Sequence, residues 1–192
     1  MTDIDQADIK LFLETNDSSA FERLLLKYQD RVYNFCLRYL GNEADASDCT
    51  QEIFIRLYEN LHSFRFESKF STWLYRITTN TCKNMTTSKH FRIQRHTQSI
   101  NSNRITNNQQ PITNNYPNPH EVLQGMELSS ILQLAIDTLK GRQKTVLILR
   151  DLDGHSYEEI ATITGLKLGT VRSTLNRARL KVAGIISNKL ER

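Results

Sequence analysis

The sequence predicts an all-α protein: two small helical domains joined by a flexible polar linker. Three observations carry that expectation. Apolar residues recur at steps of three and four through most of the chain, and the alternation of a half-buried strand is nearly absent. Between about His90 and Pro119 the periodicity fails, in a stretch rich in Asn, Gln, Thr and Ser that holds all three prolines. Such a composition cannot bury enough apolar area to fold alone. The 192 residues suffice for one or two domains with real cores. The domains are therefore placed at 1–90 and 120–192, with the linker at 91–119.

Each helix has its own signals. Asp5 is expected to cap a short first helix with Ile9, Phe12 and Leu13 on its apolar face. Ser18 or Ser19 starts a long second one, in which Phe21, Leu25, Tyr28, Val32, Phe35, Cys36 and Tyr39 recur at helical spacing until Gly41 ends it. Asn42 with Asp45 caps a third helix running to about Leu61. Its inner face is Ala46, Cys49, Ile53 and Leu57; its outer face is Asp48, Gln51, Glu52, Ile55 and Glu59. A fourth helix runs from Phe70 to about Thr87, after a loop at about Ser63–Lys69. Beyond the linker, one helix is expected from about His120 to Leu139 and another from about Arg142 to Leu152, with Gly154 as its stop.

The segment FRFESKFSTWLYRITTNTCKNM is the most aromatic in the chain. Phe64, Phe66, Phe70, Trp73 and Tyr75 stand among Arg65, Lys69, Arg76 and Lys83. Aromatics interleaved with cations suit single-stranded nucleic acid, giving stacking platforms for bases and charges for the backbone. The alternative is a plain core face of Phe70, Trp73, Leu74 and Ile77, and for Trp73 and Leu74 it holds in part. For Phe64 and Phe66, in the loop, it is weaker.

The last stretch, SYEEIATITGLKLGTVRSTLNRARLKV, holds two helical patterns and a tight turn. Ser156 and Glu159 form a capping box. Ala161, Gly165 and Val171 have helix-turn-helix spacing: a small residue at the crossing, a glycine in the turn and an apolar anchor. Leu168, Val171, Leu175, Ala178 and Val182 form the buried stripe of the second helix. The opposite face offers Gly169, Ser173, Asn176 and Arg177, flanked by Arg172, Arg179 and Lys181. Cations and hydrogen-bonding groups outward are what a helix entering a major groove requires. An ordinary helical hairpin with a solvated basic face is the alternative that the turn spacing disfavours.

Charge is uneven. Residues 1–60 hold 6 Lys+Arg and 12 Asp+Glu, a net of −6. Residues 61–125 hold 8 and 2, a net of +6, and residues 126–192 hold 11 and 7, a net of +4. An acidic front and a basic remainder imply two kinds of partner. Cys36, Cys49 and Cys82 lack metal-ligand spacing and read as buried reduced thiols, so no metal is expected. No signal peptide is legible, and no apolar run approaches the roughly 20 residues a membrane span needs. A cytoplasmic protein with no membrane insertion is the expectation.

Three motifs in combination, DASDCTQEIFIRLYENL, FSTWLYRITTNT and HSYEEIATITGLKLGTVRSTLNRAR, resemble bacterial RNA polymerase sigma factors of the extracytoplasmic-function (ECF) group, in the sigma-70 family. The first two resemble sigma region two, the third region four. The resemblance implies a promoter-specificity subunit without catalysis or cofactor. Its partners would be promoter DNA, core RNA polymerase through the β′ clamp helices and the β flap, and an anti-sigma factor. Asp48, Gln51, Glu52 and Ile55 would dock on polymerase. Phe64, Arg65, Phe66, Lys69, Trp73, Arg76, Asn80 and Lys83 would read and melt the minus-ten element. Lys167, Arg172, Ser173, Asn176 and Arg177 would read the minus-thirty-five element.

The chain departs from the family pattern at several positions. Phe66 stands where a glycine is frequent, and Thr174 where an arginine is common, which would remove a DNA contact. Lys167 takes a cap position usually given to Ser or Pro, and Gly141 stands where a proline is frequent. The stretch after Asn84 is less basic than usual. Two rival readings fit less of the sequence. A stand-alone helix-turn-helix regulator leaves the acidic helix and the aromatic-basic segment unexplained. An enzyme acting on nucleic acid lacks a metal-ligand cluster and a paired-carboxylate site in the sequence.

Overall fold

The structure, a computed structural model, describes residues 3–88 and 119–190; the predicted linker lies outside the described residues but for Pro119. Among them every regular element is a helix. The first four helices are α1 (Asp3–Thr15), α2 (Ser18–Leu40), α3 (Glu43–Asn60) and α4 (Phe70–Thr87). The rest are α5 (Pro119–Asp137), α6 (Gly141–Leu147), α7 (Tyr157–Thr164) and α8 (Leu168–Leu190).

Caps define the ends. Asp17 accepts from the Ser19 N–H at the start of α2, and Gly41 closes it at φ 83°. Asn42 accepts from the Asp45 N–H at 2.8 Å to start α3. Gly154 and Gly165 take positive φ, 75° and 69°, where the chain leaves the α6 segment and turns within the helix-turn-helix. Two expectations need correction. Asp5 is no cap: it is buried inside α1 and accepts from Tyr28 at 2.9 Å and from Lys27. A helix body excludes the N-cap geometry, so its carboxylate serves α2 instead. The helix expected at Arg142–Leu152 is α only to Leu147, then widens to a π turn over Ile148–Leu152.

The first core joins α1 to α4, with Phe12, Phe35, Phe70, Leu24, Ile53 and Leu74 fully buried. The predicted inner face of α3 is confirmed, since Ala46, Cys49, Ile53 and Leu57 are all buried. The second core joins α5 to α8 through Ile136, Val146, Ile148, Ile160, Val171 and Ala178.

The two bodies pack against each other. The Gln133 amide of α5 donates to the Arg38 carbonyl of α2 at 3.1 Å. Lys144, itself buried, pairs with Asp137 at 2.6 Å and lies over the Tyr39 ring of α2. Between α4 and the turn before α7, the Tyr75 and His155 rings meet edge to face, 4.4 Å between centroids. Lys69, just before α4, pairs with Glu159 of α7 at 2.8 Å.

Candidate nucleic-acid and polymerase interfaces

Asp48, Gln51, Glu52 and Ile55 recur at three, four and seven residues along α3 and share its outer face. Asp48 and Gln51 are exposed, and Ile55 keeps 55% of its surface open. Glu52 forms an ion pair with Arg56 at 2.6 Å. This cation on the face was not foreseen; its signal was the four-residue spacing. The face therefore combines acidic groups with one apolar knob.

On α4 the spacing of three, four and three puts Trp73, Arg76, Asn80 and Lys83 on one stripe. Arg76, Asn80 and Lys83 are exposed and Trp73 is half-buried. The opposite side carries the buried Leu74, Thr78 and Cys82. In the preceding loop Arg65 is exposed. Phe64 is corrected: it is 5% exposed, with ring centroids 4.9 Å from Phe66, 5.2 Å from Trp73 and 5.8 Å from Phe70. An isolated aromatic in an open loop would leave apolar surface in water, and three neighbouring rings offer it a dry site. Phe64 thus supports the loop from beneath. Phe66, half-buried, sits at φ 57°, in the left-handed region that disfavours a side chain. That backbone favours glycine at this position.

The helix-turn-helix forms as expected. Ser156 accepts from the Glu159 N–H at 3.1 Å, and Glu159 accepts from the Ser156 N–H at 3.0 Å. Lys69 and the Ser156 backbone together hold the Glu159 carboxyl down at about 2. Lys167 precedes α8, its carbonyl accepting from Thr170 and Val171. Lys167, Arg172, Ser173, Asn176 and Arg177 are all exposed. The Arg172 guanidinium lies 5.8 Å over the Tyr157 ring, which holds it at the start of the helix.

Two flank readings are corrected. Arg179 is engaged by Asp151, and Lys181 donates to the Thr138 carbonyl at 2.5 Å, so both brace α8 on its own domain. Thr174 is buried at 8% exposure. It lies beside the core stripe and is a packing position.

The contact between α4 and α7 also holds titratable groups that the sequence did not single out. Burial raises the Asp153 carboxyl to about 7, against the hydrogen bond of Tyr75 and the charge of Arg31. Its Oδ2 is buried and has no hydrogen-bond partner. Burial lowers the His155 imidazole, opposed by Glu159. Asp153 and His155 lie in the turn before α7 and meet Tyr75 of the distant α4, so no local pattern announced them.

The described residues thus form two helical bodies, one with an acidic helix and a cationic aromatic stripe, the other with a helix-turn-helix. Residues 24–92 match the Sigma-70 region 2 family and residues 129–182 match Sigma-70, region 4. The chain is 34% identical over 167 residues to the ECF RNA polymerase sigma factor SigW of Bacillus subtilis, covering 87% of this chain and 89% of that one. It is 36% identical over 168 residues to the ECF RNA polymerase sigma-E factor of Escherichia coli, covering 87% and 86%. With SigE of Mycolicibacterium smegmatis it shares 34% identity over 172 residues, 88% of this chain but 63% of that protein's length. The chain belongs to the sigma-70 family, in its ECF group.

In fold it is similar to CnrH, solved in complex with the cytosolic domain of CnrY, at a TM-score of 0.66 and 19% identity over 96% of this chain and 98% of that one. It is also similar to RpoE of Bartonella quintana, solved with the anti-sigma factor NepR, at 0.61 and 22% over 87% and 96%. Family membership makes it a promoter-specificity factor of transcription initiation. Among the described residues no helix is long and apolar enough to cross a membrane.

Proposed function

We propose that this sigma factor docks on core RNA polymerase through α3, opens the minus-ten element with the α4 stripe and its loop, and reads the minus-thirty-five element with α8. The observation that carries the reading is the separation of three faces. An acidic face with one exposed apolar residue suits protein, and the two cationic faces suit nucleic acid. Catalysis is no part of it, and the bond-making chemistry belongs to the polymerase. The domains are 1–90 and 120–192, joined by 91–119. The β′ clamp helices receive α3, and the β flap receives the second domain.

The packed arrangement has to open for this function. The two promoter elements lie roughly 25 base pairs apart, about 85 Å at ~3.4 Å per pair. Lys69 of the minus-ten loop instead pairs with Glu159 of the helix-turn-helix at 2.8 Å. A linker of the length of 91–119 spans at most about 100 Å when extended, enough to bridge the elements. Polymerase would supply the energy by holding each domain apart from the other. An anti-sigma factor, like those bound to the structural relatives, would hold them off polymerase.

Gel-shift titration with and without core polymerase tests the proposal. Alone, the protein binds duplex promoter weakly, because its acidic front repels phosphate and nothing fixes the spacing of its two reading faces. Core polymerase makes the binding tight and specific. Tight, specific binding by the lone protein at physiological salt would instead establish a stand-alone regulator.

A further inference from the structure

The three cysteines, unremarkable in sequence, converge in the first core. Cys36 comes from α2, Cys49 from α3 and Cys82 from α4, and all three are fully buried free thiols. Sγ of Cys82 lies 3.7 Å from that of Cys36 and 3.6 Å from that of Cys49, and all three sulfurs lie within 4.8 Å of one another. Sulfurs sharing one ion at ~2.3 Å stand roughly 3.5–4 Å apart, so little movement is needed to ligate one. A disulfide would draw two together and strand the third.

We infer that Cys36, Cys49 and Cys82 form a buried three-thiol site for a trivalent thiophilic metalloid, of which arsenite is the probe. Soft sulfur donors select soft acceptors. Among the described residues no fourth His, Cys, Asp or Glu joins the cluster, which favours a three-coordinate occupant. Charge narrows the choice further. Three thiolates around a monovalent or divalent ion leave net negative charge in an apolar core, a costly arrangement. Trivalent arsenic leaves none. Each S–H gives its proton to one hydroxide of As(OH)3; three As–S bonds replace three As–O bonds, and three waters leave. No atom changes oxidation state.

A way in exists. A cleft of about 330 Å³ opens between α3 and α4, lined by Cys49 with Asp48, Glu52, Arg56, Asn84 and Met85. Loading would tie α2, α3 and α4 at one point, on the residue that follows Asp48 of the proposed polymerase face.

The test is native mass spectrometry and ultraviolet absorption of the full chain titrated with arsenite, in a phosphine reductant that offers no competing thiol. One arsenic per folded chain is expected, with As–S absorption and loss of all three titratable thiols. Cys36→Ser, Cys49→Ala and Cys82→Ala should each abolish the one-to-one complex while keeping the parent circular dichroism. Should Cys82→Ala lose its fold, Cys82→Ser is the replacement. The proposal is overturned if the folded parent takes up no arsenic, if any folded single variant binds as well as the parent, or if Zn(II) or Cu(I) binds tightly while arsenite does not.

Discussion

Asp153 is expected to make the packed state of the two domains weaken as pH rises through neutrality. Its carboxyl is buried against Tyr75 of α4 and raised to about 7, while a solvated aspartate ionises near 3.8. Opening exposes it. The packed form therefore holds a proton that the open form lacks between these values, and its stability falls as pH rises through about 7. The neighbouring His155 acts in the opposite sense, because burial lowers its pKa from 6.5 and its charging on acidification works against packing. Between pH 6.5 and 7.5 His155 still offsets part of the Asp153 effect, because the open-form imidazole titrates near 6.5, while Tyr75 stays protonated, its pKa raised by burial.

From pH 6.5 to 7.5 the linkage of Asp153 alone changes the ratio of packed to open chains by about threefold, and the opposing His155 reduces this to about twofold. The assay is energy transfer between dyes on the two domains, with small-angle scattering as a label-free check. Asp153→Asn copies the uncharged acid. It should flatten the response and give a more closed population at pH 8. A parent profile flat across that window, or an Asp153→Asn profile as steep as the parent's, would refute the reasoning.

Two further outcomes are expected from single faces. Asp48→Lys with Glu52→Lys should weaken binding to core polymerase with unchanged circular dichroism, since both lie on the outer face of α3; unchanged affinity in a pull-down would mark the face as plain solvated surface. At Phe66, Ala loses the ring and keeps the cost of φ 57°, whereas Gly loses the ring alone. Phe66→Gly should therefore be more stable than Phe66→Ala by about 1 kcal/mol in denaturant unfolding.

What was legible in the sequence was local. The capping box at Ser156 and Glu159, the stop at Gly41 and the inner face of α3 each depend on residues within a few turns, and each formed as read. The outward positions from Lys167 to Arg177 followed from one helical period. What was missed joins distant helices. Phe64 looked like a loop residue until the rings of Phe66, Phe70 and Trp73 closed around it. Asp5, Arg179 and Lys181 were assigned by their own helix, and their partners lie on other segments. The three thiols show no metal spacing because each comes from a different helix. Thr174 was a misjudged angle, a residue at the edge of a buried stripe taken as outward-facing.

The measurement that bears most directly on promoter recognition is run-off transcription by core polymerase on a promoter library varied at the minus-thirty-five element. Adding this chain should produce specific transcripts that core polymerase alone does not. Arg172 and Arg177 are exposed on α8, and an arginine gripping guanine discriminates by about 1–3 kcal/mol. Arg172→Ala should then blur the base preference in that element. Lys167→Ala, a phosphate contact, should weaken all sequences alike and lower the salt dependence by about one counterion. Transcripts that do not depend on the chain, or an Arg172→Ala variant with the parent's base preferences, would contradict the assignment of α8 as the reading helix.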